Sequence, residues 1–171
     1  MGVSRKRRIQ QETNPLEEHE QELIFRWAWK QKGWEGVCPI HPPAFLHLMY
    51  AVPNGGKRSK AEASRMARQG TRRGVSDMVL PVAKDGFHAL YLELKRLKGS
   101  KTSEEQLQWR DDMLAQGNQA LIIKGHVEAI KAILFYSGVQ HKWSPEYPVK
   151  TGISKGCVQK DDQIDHSDVF N

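Results

Sequence analysis

The chain has 171 residues, 39% of them hydrophobic and 27% charged, and carries a formal net charge of +6. That length suits one domain with a core of ordinary size, no apolar run approaches the roughly 18 residues a membrane helix needs, and two distant cysteines, Cys38 and Cys157, make no disulfide framework. The basic excess points to a polyanionic partner, with nucleic acid first and an acidic protein or a membrane surface as the alternatives.

Residues 1–14 hold the cluster Arg5-Lys6-Arg7-Arg8 and no periodic pattern, and no signal-type apolar segment follows it. They read as a disordered arm, either a phosphate-contacting one or a solvated tail. Pro15 opens a helix predicted to run to about Lys32 and to stop at Gly33, with Leu16, Leu23, Ile24, Trp27 and Ala28 at helical spacing. Its stripe Glu17, Gln21, Ile24 and Ala28 is apolar only in the second half. Either the helix start emerges into solvent or its first turn reaches a functional site. Residues 34–44 read as a loop, in which Cys38-Pro39-Ile40-His41 lacks the second ligand pair a zinc site needs.

Phe45–Val52 is predicted as a strand ending at the turn Pro53-Asn54-Gly55-Gly56, with Lys57, Arg58 and Lys60 just beyond. Glycines there allow the backbone to approach a phosphate, which the cations favour; a plain surface turn fits the same residues. Ala61–Gln69 reads as a short helix closed by Gly70, with Arg65 and Arg68 exposed and Arg72-Arg73 following. Val75–Val82 and Phe87–Arg96 read as strands joined by an Asp85-Gly86 hairpin turn. Ser103 and Gln106 have the spacing of a capping box for a helix over Glu104–Gln116, although Gln106 also shares a stripe with Trp109 and Met113 that could face the sheet. Ala120–Lys124 reads as a strand. The last helix, Val127–Tyr136, is predicted to bury Val127, Ile130, Ile133 and Leu134. Residues 15–138 therefore form the domain, and 139–171 a flexible C-terminal extension. The order α-β-α-β-β-α-β-α predicts an α/β fold, a mixed β-sheet flanked by helices.

Charge placement within the two central stretches is the most informative feature. Alternation puts Tyr91, Glu93 and Lys95 on one side of the second stretch and Leu90, Leu92 and Leu94 on the other. On the first stretch, Val75, Asp77 and Val79 share a face. If the stretches pair, Asp77 falls beside Glu93, and two carboxylates and an ammonium converge. Burying such charges costs several kcal/mol, about, unless a partner compensates. A divalent cation and a phosphate are partners of that kind; an ordinary Glu93–Lys95 ion pair on a solvated strand face is the alternative.

Taken together, Pro53-Asn54-Gly55-Gly56-Lys57-Arg58, Gly74-Val75-Ser76-Asp77, Glu93-Leu94-Lys95 and Gln106 with Trp109 resemble the VRR-NUC family of the PD-(D/E)XK nuclease superfamily, in its stand-alone phage-type members. The resemblance spans roughly residues 17–136. It implies a restriction-endonuclease-like core and metal-dependent DNA endonuclease activity on branched DNA such as Holliday junctions or flaps, in the cytoplasm of a bacterial or phage-infected cell, with a homodimer as the assembly. It implies catalytic roles for Asp77, Glu93, Lys95 and Gln106, and Mg²⁺, replaceable by Mn²⁺, on Asp77, Glu93 and the Leu94 carbonyl. Glu17, or Glu18 in a shifted register, matches an acidic residue of the first helix, and Gln21 a glutamine one turn later. Asn54, Gly55, Lys57, Arg58, Arg72 and Arg73 are implied to contact DNA. Ser76 departs from the family, which has proline there. The alternative is a non-catalytic DNA-binding or scaffold domain that retains the fold.

Overall fold

The computed structural model describes residues 16–53 and 59–139, the side chain of Lys60 excepted. Asn54, Gly55, Lys57 and Arg58, the basic arm and the extension beyond residue 139 lie outside the described residues.

The elements follow the predicted order. Helix α1 spans Glu17–Ala28, strand β1 Tyr50–Ala51, helix α2 Lys60–Arg68, strand β2 Met78–Leu80 and strand β3 Leu90–Lys95. Helix α3 spans Glu104–Ala115, strand β4 Gln119–Lys124 and helix α4 Gly125–Tyr136. The four strands lie in the order β1-β2-β3-β4. The β1/β2 and β2/β3 pairs are antiparallel, and β3/β4 is parallel. Lys84 and Phe87 exchange both main-chain hydrogen bonds at 2.9 Å, with Asp85 at φ 48° and Gly86 at φ 85°. Two consecutive positive φ values make this the primed turn that suits the twist of a hairpin.

The alternation in β3 separates two unlike faces. Leu90, Leu92 and Leu94 join Met78, Leu80, Leu121 and Ile123 in one core, closed by Ile24, Trp27 and Ala28 of α1 and Ile130 and Ile133 of α4. Val79, Tyr91, Glu93 and Lys95 point the other way, toward α3. No residue of α3 is fully buried, so this second layer is thin and leaves room beside the charged face.

Three predicted elements differ. Residues 45–52 do not form one strand: Ala44–Leu48 is a 3-10 helix following Pro43, and only Tyr50–Ala51 is extended. Leu46 and Met49, three apart, are the buried pair, whereas Leu48 and Tyr50 are exposed; a three-residue period with apolar neighbours mimics alternation over so short a run. The first helix ends at Ala28, not near Lys32, because Lys30 takes φ 51° and closes a Schellman motif. In that motif Lys30 N donates to Trp27 O at 3.0 Å and Gln31 N to Arg26 O at 2.9 Å. In α4, Val127 is exposed, and Ala129 and Ala132 lie inside with Ile130, Ile133 and Leu134.

Candidate active site

The β2/β3 register pairs Met78 with Leu92, so Asp77, one residue before β2, lies next to Glu93. Its carboxylate is fixed there by β3 itself: the Leu94 main-chain N–H donates to Asp77 Oδ2 at 2.9 Å. The preceding turn is fixed by Gly74. Its φ is 79°, and a Cβ at this position would lie 2.5 Å from the carbonyl oxygen of Glu105 in the first turn of α3. Only glycine tolerates both the conformation and that backbone approach. Ser76 is buried, and Asp77 reaches β3 without a preceding proline.

Glu93 and Lys95 form an ion pair at 2.7 Å with both side chains more than nine-tenths buried. This is not the solvated strand-face pair that the sequence also allowed. Gln106 both caps α3 and faces the sheet. Its Oε1 accepts from Ser103 N at 3.0 Å, completing a capping box, and its Nε2 donates to Glu93 Oε1. Glu93 Oε1 therefore receives two donors, Lys95 and Gln106.

Burial is the largest influence on both carboxyls. It raises Asp77 above the ordinary carboxylate range, opposed by the Leu94 N–H and by Lys95, with Glu17 adding to the rise. Burial together with the Asp77 charge pushes Glu93 up to about 7, although Lys95 pulls in the other direction. Two carboxyls held this close in a poorly solvated spot resist ionising together unless positive charge arrives.

These groups line a cleft of about 730 Å³ whose wall includes Glu17, Asp77, Glu93, Lys95, Gln106, Arg72 and Arg73, with Ala63, Ser64 and Ala67 of α2 on the far side. The structure separates the two acidic candidates of α1. Glu17 lines the cleft and accepts from Arg96 N at 3.2 Å, whereas Glu18 and Gln21 line a different cavity of about 550 Å³. Gln21, matched through the resemblance, follows Glu17 by one helical turn and lines that second cavity, not the cleft.

The fit to a cation follows from the donor set. Asp77 and Glu93 are hard oxygen donors with a raised affinity for protons, a property a divalent ion of the Mg²⁺ kind would exploit. Among the described residues no three His, Cys, Asp or Glu side chains converge as a metal-binding group. An ion here would rest on two carboxylates, completed by main-chain carbonyl and water. The Cys38–His41 segment is structural: Trp27 Nε1 donates to Ile40 O at 2.8 Å, and His41 packs edge-on against Trp34.

Glu20 is a buried acidic residue that the sequence pattern does not mark. Glu20 is 1% exposed, and its Oε2 accepts from His126 N at 2.7 Å and from His126 Nδ1 at 2.5 Å. Burial alone would raise its carboxyl, but the side-chain and main-chain hydrogen bonds of His126 hold it below the ordinary value. The only local signal was its helical spacing to Ile24 and Trp27; its partner lies 106 residues away.

No family model matches the chain, and no curated protein matches it. Among solved structures, a chain described as a VRR_NUC domain protein is similar, with a TM-score of 0.56 and 22% identity over 70% of this chain and 86% of that one. The likeness shows that this chain has the α/β fold of that protein, a mixed sheet flanked by helices.

Proposed function

We propose that this chain is a VRR-NUC-type nuclease that hydrolyses DNA phosphodiesters with a divalent cation, through a domain spanning residues 15–138. The observation that carries the reading is the convergence of half-buried Asp77 with buried Glu93 and Lys95 in a cleft that also holds Arg72 and Arg73. The similar solved structure supports the fold on which such a site is built.

Asp77, Glu93 and the Leu94 carbonyl would hold the ion, Mg²⁺ by the hardness of the donors, with Mn²⁺ as its substitute. When bound, the ion supplies Lewis acidity and neutralises charge on the phosphoryl group. Lys95, oriented by Glu93 at 2.7 Å, stabilises the negative charge that builds on the phosphoryl oxygens and positions the attacking water. That water forms the new P–O bond, the bond to the leaving oxygen breaks, and the leaving oxygen takes up a proton. Gln106 keeps Glu93 in place from α3. Glu17 lies at the cleft margin, where it can hold a water or a second ion. Arg72 and Arg73 grip neighbouring phosphates, so binding weakens steeply with salt; Asn54, Gly55, Lys57 and Arg58 extend that grip in the same proposal.

The preference for branched DNA, action as a two-fold pair of chains and a cytoplasmic setting come from the sequence resemblance. The non-catalytic scaffold alternative is disfavoured by the survival of all three central side chains in one site. The test is incubation of the full chain with labelled junction, flap, single-stranded and duplex DNA in Mg²⁺, Mn²⁺ or EDTA. Metal-dependent cuts are expected, strongest on branched DNA and absent in EDTA. Tight DNA binding without cuts in any metal would favour the scaffold.

A further inference from the structure

The Arg72 guanidinium lies over the ring of Trp109, 5.5 Å from its centroid. Trp109 sits one turn beyond Gln106 on α3, and its indole N–H is buried with no acceptor among the described residues. Such an orphan donor is costly, and phenylalanine would fill much of the same space without it. What tryptophan offers over phenylalanine is the strongest π-face for a cation. Arg72 in turn is an exposed side chain that lines the cleft beside the carboxylates. Two residues on, Gly74 is pressed against the main chain of Glu105. The loop is thus attached to α3 at two points, one through backbone and one through this stack.

We propose that Trp109 is a positioning residue for DNA binding: its ring holds the Arg72 guanidinium at the cleft wall, where it meets a phosphate next to the one being cut. The inference rests on the nuclease reading above. It accounts for an indole whose N–H has no acceptor among the described residues, and it assigns Trp109 an effect on affinity without contact to the reacting atoms.

Equilibrium binding of the full chain to a labelled DNA junction, in Ca²⁺ so that turnover is suppressed, is the test, read across a salt series. R72A is expected to lower the slope of log K against log salt by about 0.9, the loss of one phosphate contact. W109L is expected to weaken binding about 2- to 5-fold and to shift the slope toward that of R72A, while the double variant binds no worse than R72A. W109F is expected to weaken binding less than W109L, with a melting temperature equal to or above wild type, since it removes the unmet N–H. A structural role alone would move stability and leave the salt slope intact. Wild-type affinity and slope in W109F and W109L, or penalties that add fully in the double variant, would overturn the proposal while leaving the nuclease reading in place. Wild-type protein that fails to bind DNA overturns both.

Discussion

The main-chain N–H of Leu94 holds Asp77 Oδ2 at 2.9 Å, so the strand that carries Glu93 and Lys95 also sets the position of the second carboxylate. Asp77→Asn keeps an oxygen that can accept from Leu94 and removes one negative charge. It is expected to lower cleavage about 100-fold or more while leaving the metal-free protein as stable as wild type or more so, because Glu93 loses a repelling neighbour. Single-turnover cleavage and thermal melting in EDTA measure the two effects. Wild-type cleavage by this variant would remove Asp77 from the mechanism.

Glu93 gives a pH signature. An ordinary glutamate titrates at 4.5, and here the folded value is about 7, so the fold prefers the protonated form. Its contribution is full below 4.5 and is lost as pH rises through 7. In EDTA the melting temperature is expected to fall over that interval, and Glu93→Gln should flatten the fall. Mg²⁺ should raise the melting temperature more at pH 8 than at pH 5, because the cation competes with protons for the same oxygens. Equal Mg²⁺ stabilisation at both values would speak against Glu93 as a ligand.

Gly74→Ala places a methyl group into the Glu105 carbonyl at a φ that side chains rarely adopt. The left-handed conformation alone costs about 1–2 kcal/mol, and the clash forces α3 or the loop to move. Chemical denaturation should show a loss of at least that size, with cleavage reduced as well, since the same displacement disturbs Asp77 and Gln106. Gly70→Ala is the comparison: its φ of 94° is equally unusual, but open space surrounds it, so stability should fall with cleavage largely kept.

Glu20 joins α1 to the start of α4 through His126. Glu20→Ala leaves the two half-buried His126 donors without their acceptor and is expected to cost about 1–3 kcal/mol. Because the folded carboxyl lies below its ordinary value, the ionised form adds stability that is present above pH 4.5 and lost as pH falls through the folded value. The difference in stability between wild type and Glu20→Gln, followed by denaturation from pH 7 to pH 3, should therefore shrink toward the acid end.

Much of the site was legible in the sequence because it is built on period-two alternation and local turn chemistry. Leu90, Leu92 and Leu94 against Glu93 and Lys95 fixed the faces of β3, Asp85-Gly86 fixed the hairpin, and these together brought Asp77 beside Glu93. The capping box of Ser103 and Gln106 was equally local. What sequence could not resolve depended on distant contacts or atypical residues. Glu17 and Glu18 are indistinguishable until α1 is docked and only the first meets Arg96. Glu20 has a partner 106 residues away. Lys30 ends its helix in a conformation usually left to glycine, and the run from Ala44 to Met49 turns on three residues where the pattern suggested two.

Gln106 leaves one last consequence. A side-chain amide can ordinarily be turned over at little cost, but here the Ser103 N–H demands its oxygen and Glu93 demands its nitrogen. Helix capping thus selects the flip state that presents a proton, not a lone pair, to the glutamate. Glutamate in its place would still satisfy the cap, yet would aim a further acidic oxygen at Glu93, whose carboxyl burial and the Asp77 charge already push up.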